Sequence, residues 1–161
     1  MCSACSAVRV EEPNDAALRD KFERHGQVLE EVRQLFGDDM KRHRLTFVTA
    51  TDVKASACED RRVGEDCLSA ARWNEYARRL TVAGIERVEQ HETPGIYFHV
   101  YRTPYWGADC GCPFKGDECG CFKFRGLVYA PGVPKVEHTH DDFETRVELG
   151  RGWYSYLIID T

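Results

Sequence analysis

Phe143-Glu144-Thr145-Arg146-Val147-Glu148-Leu149-Gly150-Arg151-Gly152-Trp153-Tyr154-Ser155-Tyr156-Leu157-Ile158-Ile159 reads as two strands folded back through a glycine-containing loop. Side chains in an extended chain alternate between faces, so Trp153, Ser155, Leu157 and Ile159 share one face and Tyr154, Tyr156 and Ile158 the other. Both faces are apolar or aromatic, which predicts a covered, central final strand. A three-residue Gly-Arg-Gly connection is short enough only for antiparallel neighbours.

Moving outward, the same two-residue period recurs in Ile96–Arg102, where Ile96, Phe98 and Val100 alternate with Tyr97, His99 and Tyr101. Phe122–Ala130 is a further strand, and Gly126 in its interior marks a bulge or a close backbone approach. Ile85–Gln90 and Arg44–Thr51 complete the set. Earlier in the chain the period changes to that of a helix. Leu18, Phe22, His25, Leu29, Val32 and Phe36 form one stripe, with Asn14 or Asp15 able to cap its start and Gly37 predicted to stop it. His25 on that stripe reads as a partly buried histidine. A second helix, Leu68–Ala83, carries Trp73, Tyr76, Leu80 and Ala83 inward, begins at an Asp66 or Ser69 cap and ends at Gly84-Ile85, the order of a Schellman stop.

Helices early and hairpin-connected strands late define an α+β domain: two helices packed on an antiparallel sheet of about five to six strands. Residues 1–12 read as a tail and 13–161 as a single domain. No alternating βαβ pattern and no glycine-rich strand-to-helix turn of a nucleotide site is present.

The net charge of −5 argues against nucleic acid as a partner, because phosphate backbones need a positive field. No apolar run is long enough for a membrane span. Ser3-Ala4-Cys5 has the small-residue order that precedes a lipidated cysteine, so an upstream start would make Cys5 a lipid anchor.

The eight cysteines fall in close pairs. In Cys110-Gly111-Cys112-Pro113-Phe114-Lys115-Gly116-Asp117-Glu118-Cys119-Gly120-Cys121, folding back at Lys115-Gly116 brings Cys112 to Cys119 and Cys110 to Cys121. Two chemistries fit: nested disulfides, Cys110–Cys121 and Cys112–Cys119, or one zinc ion held by the four thiolates. The inner spacing is tighter than that of the usual Cys-x-x-Cys knuckles, which favours the disulfides. A Cys58–Cys67 disulfide would close a charged loop and contribute about 2 to 3 kcal/mol by loop entropy. In Glu137-His138-Thr139-His140-Asp141-Asp142, His138 and His140 project to one side of an extended segment and could start a metal site, with His99 or a carboxylate as the third ligand.

Three functional readings follow. The first is a non-catalytic, disulfide-braced binding or structural domain of the cell envelope, periplasm or exterior. The second is a cytoplasmic zinc protein using the Cys-Gly-Cys hairpin. The third is a metal- or cysteine-dependent enzyme using His138 and His140. The pattern identifies no substrate.

Overall fold

A computed structural model describes residues 11–51, 57–58, 67–90, 95–104, 122–132 and 142–160. The first helix, α1, spans Asp15–His43. Asn14 caps it, its side chain accepting from the Ala17 N–H at 2.9 Å. The stripe read from the sequence faces inward, with Leu18, Leu29, Val32 and Phe36 buried.

Gly37 does not stop this helix, which runs on to a left-handed Arg44. A glycine inside a helix costs only about 1 kcal/mol, and the added turn gains a buried contact. Asp39 there accepts from the Tyr76 hydroxyl at 3.0 Å and pairs with Arg72. Both partners belong to the second helix, α2, Ala70–Ala83. Ser69 caps α2 through the Arg72 N–H, and Gly84, at φ 61°, closes it. The Ile85 N–H reaches Leu80 O at 2.9 Å and the Gly84 N–H reaches Thr81 O at 3.1 Å, the two bonds of the expected Schellman stop.

The strands are β1 (Leu45–Thr49), β2 (Ala57–Cys58), β3 (Arg87–Gln90), β4 (Ile96–Pro104), β5 (Phe122–Tyr129), β6 (Asp142–Gly150) and β7 (Trp153–Asp160). They form one antiparallel sheet in the order β2-β1-β3-β4-β5-β7-β6. Without the two-residue β2 this is the expected six-stranded sheet carrying two helices. β2 lies in a polar stretch with no alternation, so it left no pattern to read. The final hairpin pairs as expected, with Thr145 opposite Leu157 and Val147 opposite Ser155. β7 is covered but not central: β6 lies outside it and forms the edge.

Cross-strand partners share a face, so the register sorts the sheet into two sides. One side packs under the helices, where Val88, Phe98, Leu127 and Trp153 meet Leu18, Leu29, Phe36, Tyr76 and Leu80. Asp15 ties the start of α1 to this side, accepting from Ser155 Oγ at 3.0 Å and from Arg125 at 3.2 Å. Lys21 ties α1 to the end of α2, donating to Ala83 O at 2.8 Å and Gly84 O at 3.3 Å. The opposite side holds a second core of Tyr97, Phe124, Val128, Ala130, Tyr156 and Ile158.

These cores correct the reading of the chain as a disulfide-braced domain. Among the described residues the fold is closed by apolar packing and buried ion pairs. Cys67, a buried cysteine of the helix-side core, is disulfide-bonded, with its partner outside the described side chains. The hairpin Cys110, Cys112, Cys119 and Cys121, the pair His138 and His140, and Cys5 with its lipid-anchor order all lie outside the described residues.

Candidate functional site

The second core is not purely apolar. Arg87 of β3, His99 of β4, Gly126 of β5, Tyr156 of β7 and Arg146 of β6 stand in one cross-strand row. Gly126 is the gap in that row. Over it, His99 and Tyr156 meet from strands that are not neighbours: the Tyr156 hydroxyl lies 2.6 Å from His99 Nδ1. A side chain at 126 would fill that space. Its Cβ would lie 3.1 Å from Tyr156 Cε1 and 3.0 Å from the Phe98 carbonyl carbon. The pairing register shifts on β4 between His99 and Tyr101, beside this glycine. The sequence reading of Gly126 as a close approach therefore holds.

On its other side His99 Nε2 lies 2.5 Å from Glu89 Oε1. The second oxygen of Glu89 pairs with Arg87. A carboxylate only accepts, so a neutral His99 ring carries its proton on Nε2 and takes the Tyr156 O–H at Nδ1. Burial, reinforced by the Glu89 charge, pushes the Tyr156 hydroxyl well above its ordinary pKa, which keeps it a donor.

A second buried group lies alongside. The Tyr97 hydroxyl donates to Glu144 at 3.1 Å and accepts from Arg146 at 2.6 Å. Arg146 also pairs with Glu144 at 2.5 Å, their side chains only 3% and 4% exposed. Burial and then the Glu144 charge raise the Tyr97 hydroxyl above its ordinary range. The Tyr97 and Tyr156 rings meet edge to face with centroids 5.1 Å apart, joining the two groups into one wall.

That wall borders a groove of about 860 Å³ at the end of the sheet next to the C-terminus of α2. Its described lining includes Phe47, Thr81, Ile85, Val100 and Phe124 among apolar and neutral groups, and Glu86, Arg87, His99 and Arg102 among polar ones. The volume is within the range of roughly 300–1,000 Å³ that small-molecule sites occupy. Both arginines lie over aromatic rings. Arg87 lies 3.9 Å over Phe47, and Arg102 lies 3.9 Å over Phe122 and 5.6 Å over Phe124. Arg87 is further fixed by Glu89. Arg102 forms no ion pair among the described residues, so its guanidinium edge remains available at the groove.

This arrangement can bind and orient. It does not assemble a metal centre: among the described residues no group of three or more His, Cys, Asp or Glu side chains is placed to hold an ion. His99, expected as a third ligand beside His138 and His140, gives its ring nitrogens to Glu89 and Tyr156 instead. Among the described residues that finding takes away the metal-based readings, the zinc protein and the metal-dependent enzyme, and the fold is closed by its two cores rather than by a framework of disulfides. No described helix is long and apolar enough to cross a membrane.

The groove itself escaped the sequence reading because Glu86, Arg87, His99 and Arg102 are scattered singly along the chain, with no motif spacing. The available signals were a histidine at an inward strand position and a glycine inside a neighbouring strand.

No protein-family model, no curated protein and no solved structure matches the chain.

Proposed function

We propose that this protein is a small-molecule-binding domain whose groove receives a compact, largely apolar ligand carrying an anionic group. The observation that supports this is Arg102: a guanidinium lying over aromatic rings, without an ion-pair partner among the described residues, at the rim of a mostly apolar groove. Stacking fixes the plane of a guanidinium while leaving its N–H edge free for a carboxylate or phosphate, which it binds in bidentate fashion. The chain as a whole carries a net charge of −5, so the Arg102 cation at the groove is a local feature rather than part of a general positive field. The buried Glu89–His99–Tyr156 chain supplies a rigid floor, so little order has to be gained on binding.

The test is ligand-observed NMR titration with hydrocinnamate and its neutral amide. The carboxylate should bind saturably and about tenfold or more tightly than the amide, consistent with one charge-assisted hydrogen-bonded pair. Arg102→Ala should abolish that margin with circular dichroism unchanged. Equal affinities for acid and amide, or no saturable binding of the acid up to millimolar concentration, would overturn the proposal.

A further inference from the structure

The groove also holds a free carboxylate. Glu86 precedes β3, and its main chain is clamped on both sides: its N–H donates to His99 O at 2.8 Å and its carbonyl accepts from the Ala50 N–H at 2.9 Å. Glu86 is among the residues that line the groove with Arg102. Among the described residues it makes no side-chain hydrogen bond and no ion pair. The two opposite charges sense one another, since the Arg102 charge acts on the Glu86 carboxyl. They nonetheless do not pair. The Glu86 backbone is fixed by its two hydrogen bonds, and the Arg102 guanidinium lies over an aromatic ring.

Opposite charges that face one groove and stay apart are arranged to be bridged. A ligand with only an anion would satisfy Arg102 and place its negative group near the Glu86 carboxylate. One with only a cation would do the reverse. Only a ligand that carries both groups, set close together on an apolar body, satisfies both residues without a like-charge contact.

We infer that the ligand of this groove is a small amphipathic zwitterion of the amino-acid type, with its anionic group on Arg102, its ammonium on Glu86 and its apolar part against Phe47, Ile85 and Val100. This inference rests on the binding function proposed above and adds the ammonium. Burial lifts the Glu86 carboxyl above its ordinary range, with Arg102 opposing the rise, and an arriving ammonium would relieve that cost.

The experiment titrates three probes that share a phenyl body: hydrocinnamate (anion alone), phenethylamine (cation alone) and free phenylalanine (both). Free phenylalanine should bind about tenfold more tightly than hydrocinnamate, the ratio expected for one added charge-assisted contact, and phenethylamine most weakly. Glu86→Gln should remove the phenylalanine margin and leave hydrocinnamate unchanged or slightly tighter. Arg102→Ala should weaken both. If phenylalanine and hydrocinnamate bind alike, or if Glu86→Gln leaves the margin intact, the zwitterion inference is wrong while the anion-binding function stands. If hydrocinnamate does not bind at all, both are wrong.

Discussion

Gly126→Ala is the sharpest probe of the site, because the structure states what one methyl group would meet. The added carbon would fall 3.0 Å from the Phe98 carbonyl carbon, closer still to the oxygen it carries, and 3.1 Å from Tyr156 Cε1. The first neighbour is backbone in a paired strand and cannot rotate away. β4 must therefore move off β5, and Tyr156 must move off His99. Overpacking of this kind costs about 1–3 kcal/mol. Opening the hydrogen bond between His99 and Tyr156 strands buried polar atoms, at about 1–3 kcal/mol more. Together the expected loss is about 2–6 kcal/mol, a large part of the ~5–15 kcal/mol that stabilises a typical domain. In urea, with a slope of about 2 kcal/mol per molar, the midpoint should fall by about 1–3 M. Tyr156→Phe separates the two contributions. It keeps the ring, deletes only the hydroxyl, and should cost about 1–3 kcal/mol. If Gly126→Ala unfolds within about 0.5 M of the parent and with the same near-UV circular dichroism, the close approach at 126 does not hold the site together.

Two further outcomes follow from the electrostatics. Glu144→Gln leaves Arg146 buried without its counter-charge and should cost about 3–5 kcal/mol, whereas Glu144→Met combined with Arg146→Leu should recover most of that in urea unfolding; equal losses in both would refute it. For Glu86, the folded-state carboxyl lies above its ordinary value because of burial, so the folded protein holds that proton more tightly than the unfolded chain. Its contribution is therefore present below the unfolded pKa and lost as pH rises through the raised folded value. Glu86→Gln should accordingly gain stability relative to the parent as pH increases through that window. The difference between the two proteins cancels the opposite trend from Glu30 and Glu75, whose carboxyls hydrogen bonds from Arg33 and Arg72 hold low. A difference independent of pH would refute the assignment.

Much of the architecture was legible from local chemistry. The stripe from Leu18 to Phe36, the Asn14 and Ser69 caps and the Gly84 stop act within one or two turns, so adjacent residues suffice to read them. The Gly150-Arg151-Gly152 hairpin is equally local. Gly37 was misread because a propensity of about 1 kcal/mol was outweighed by a contact, Asp39 with Tyr76, that only the folded chain contains. The groove was not legible for a related reason. Strand register sets Arg87 beside His99 and Arg102 beside Phe124, and register is fixed by pairing rather than by neighbours in sequence. The cysteine and histidine clusters drew attention because their spacing is visible along the chain.

Lys21 has a consequence beyond joining two helices. The C-terminal turn of α2 ends at the groove, where Thr81 and Gly84 form part of the lip. The last carbonyls of a helix carry the negative end of its macrodipole, equivalent to about half an elementary charge. Left bare, that end would repel the anion that Arg102 is placed to receive. The Lys21 ammonium, donating to the carbonyls of Ala83 and Gly84, covers it. A residue in the second turn of the first helix thus offsets the negative helix end at the lip of the groove.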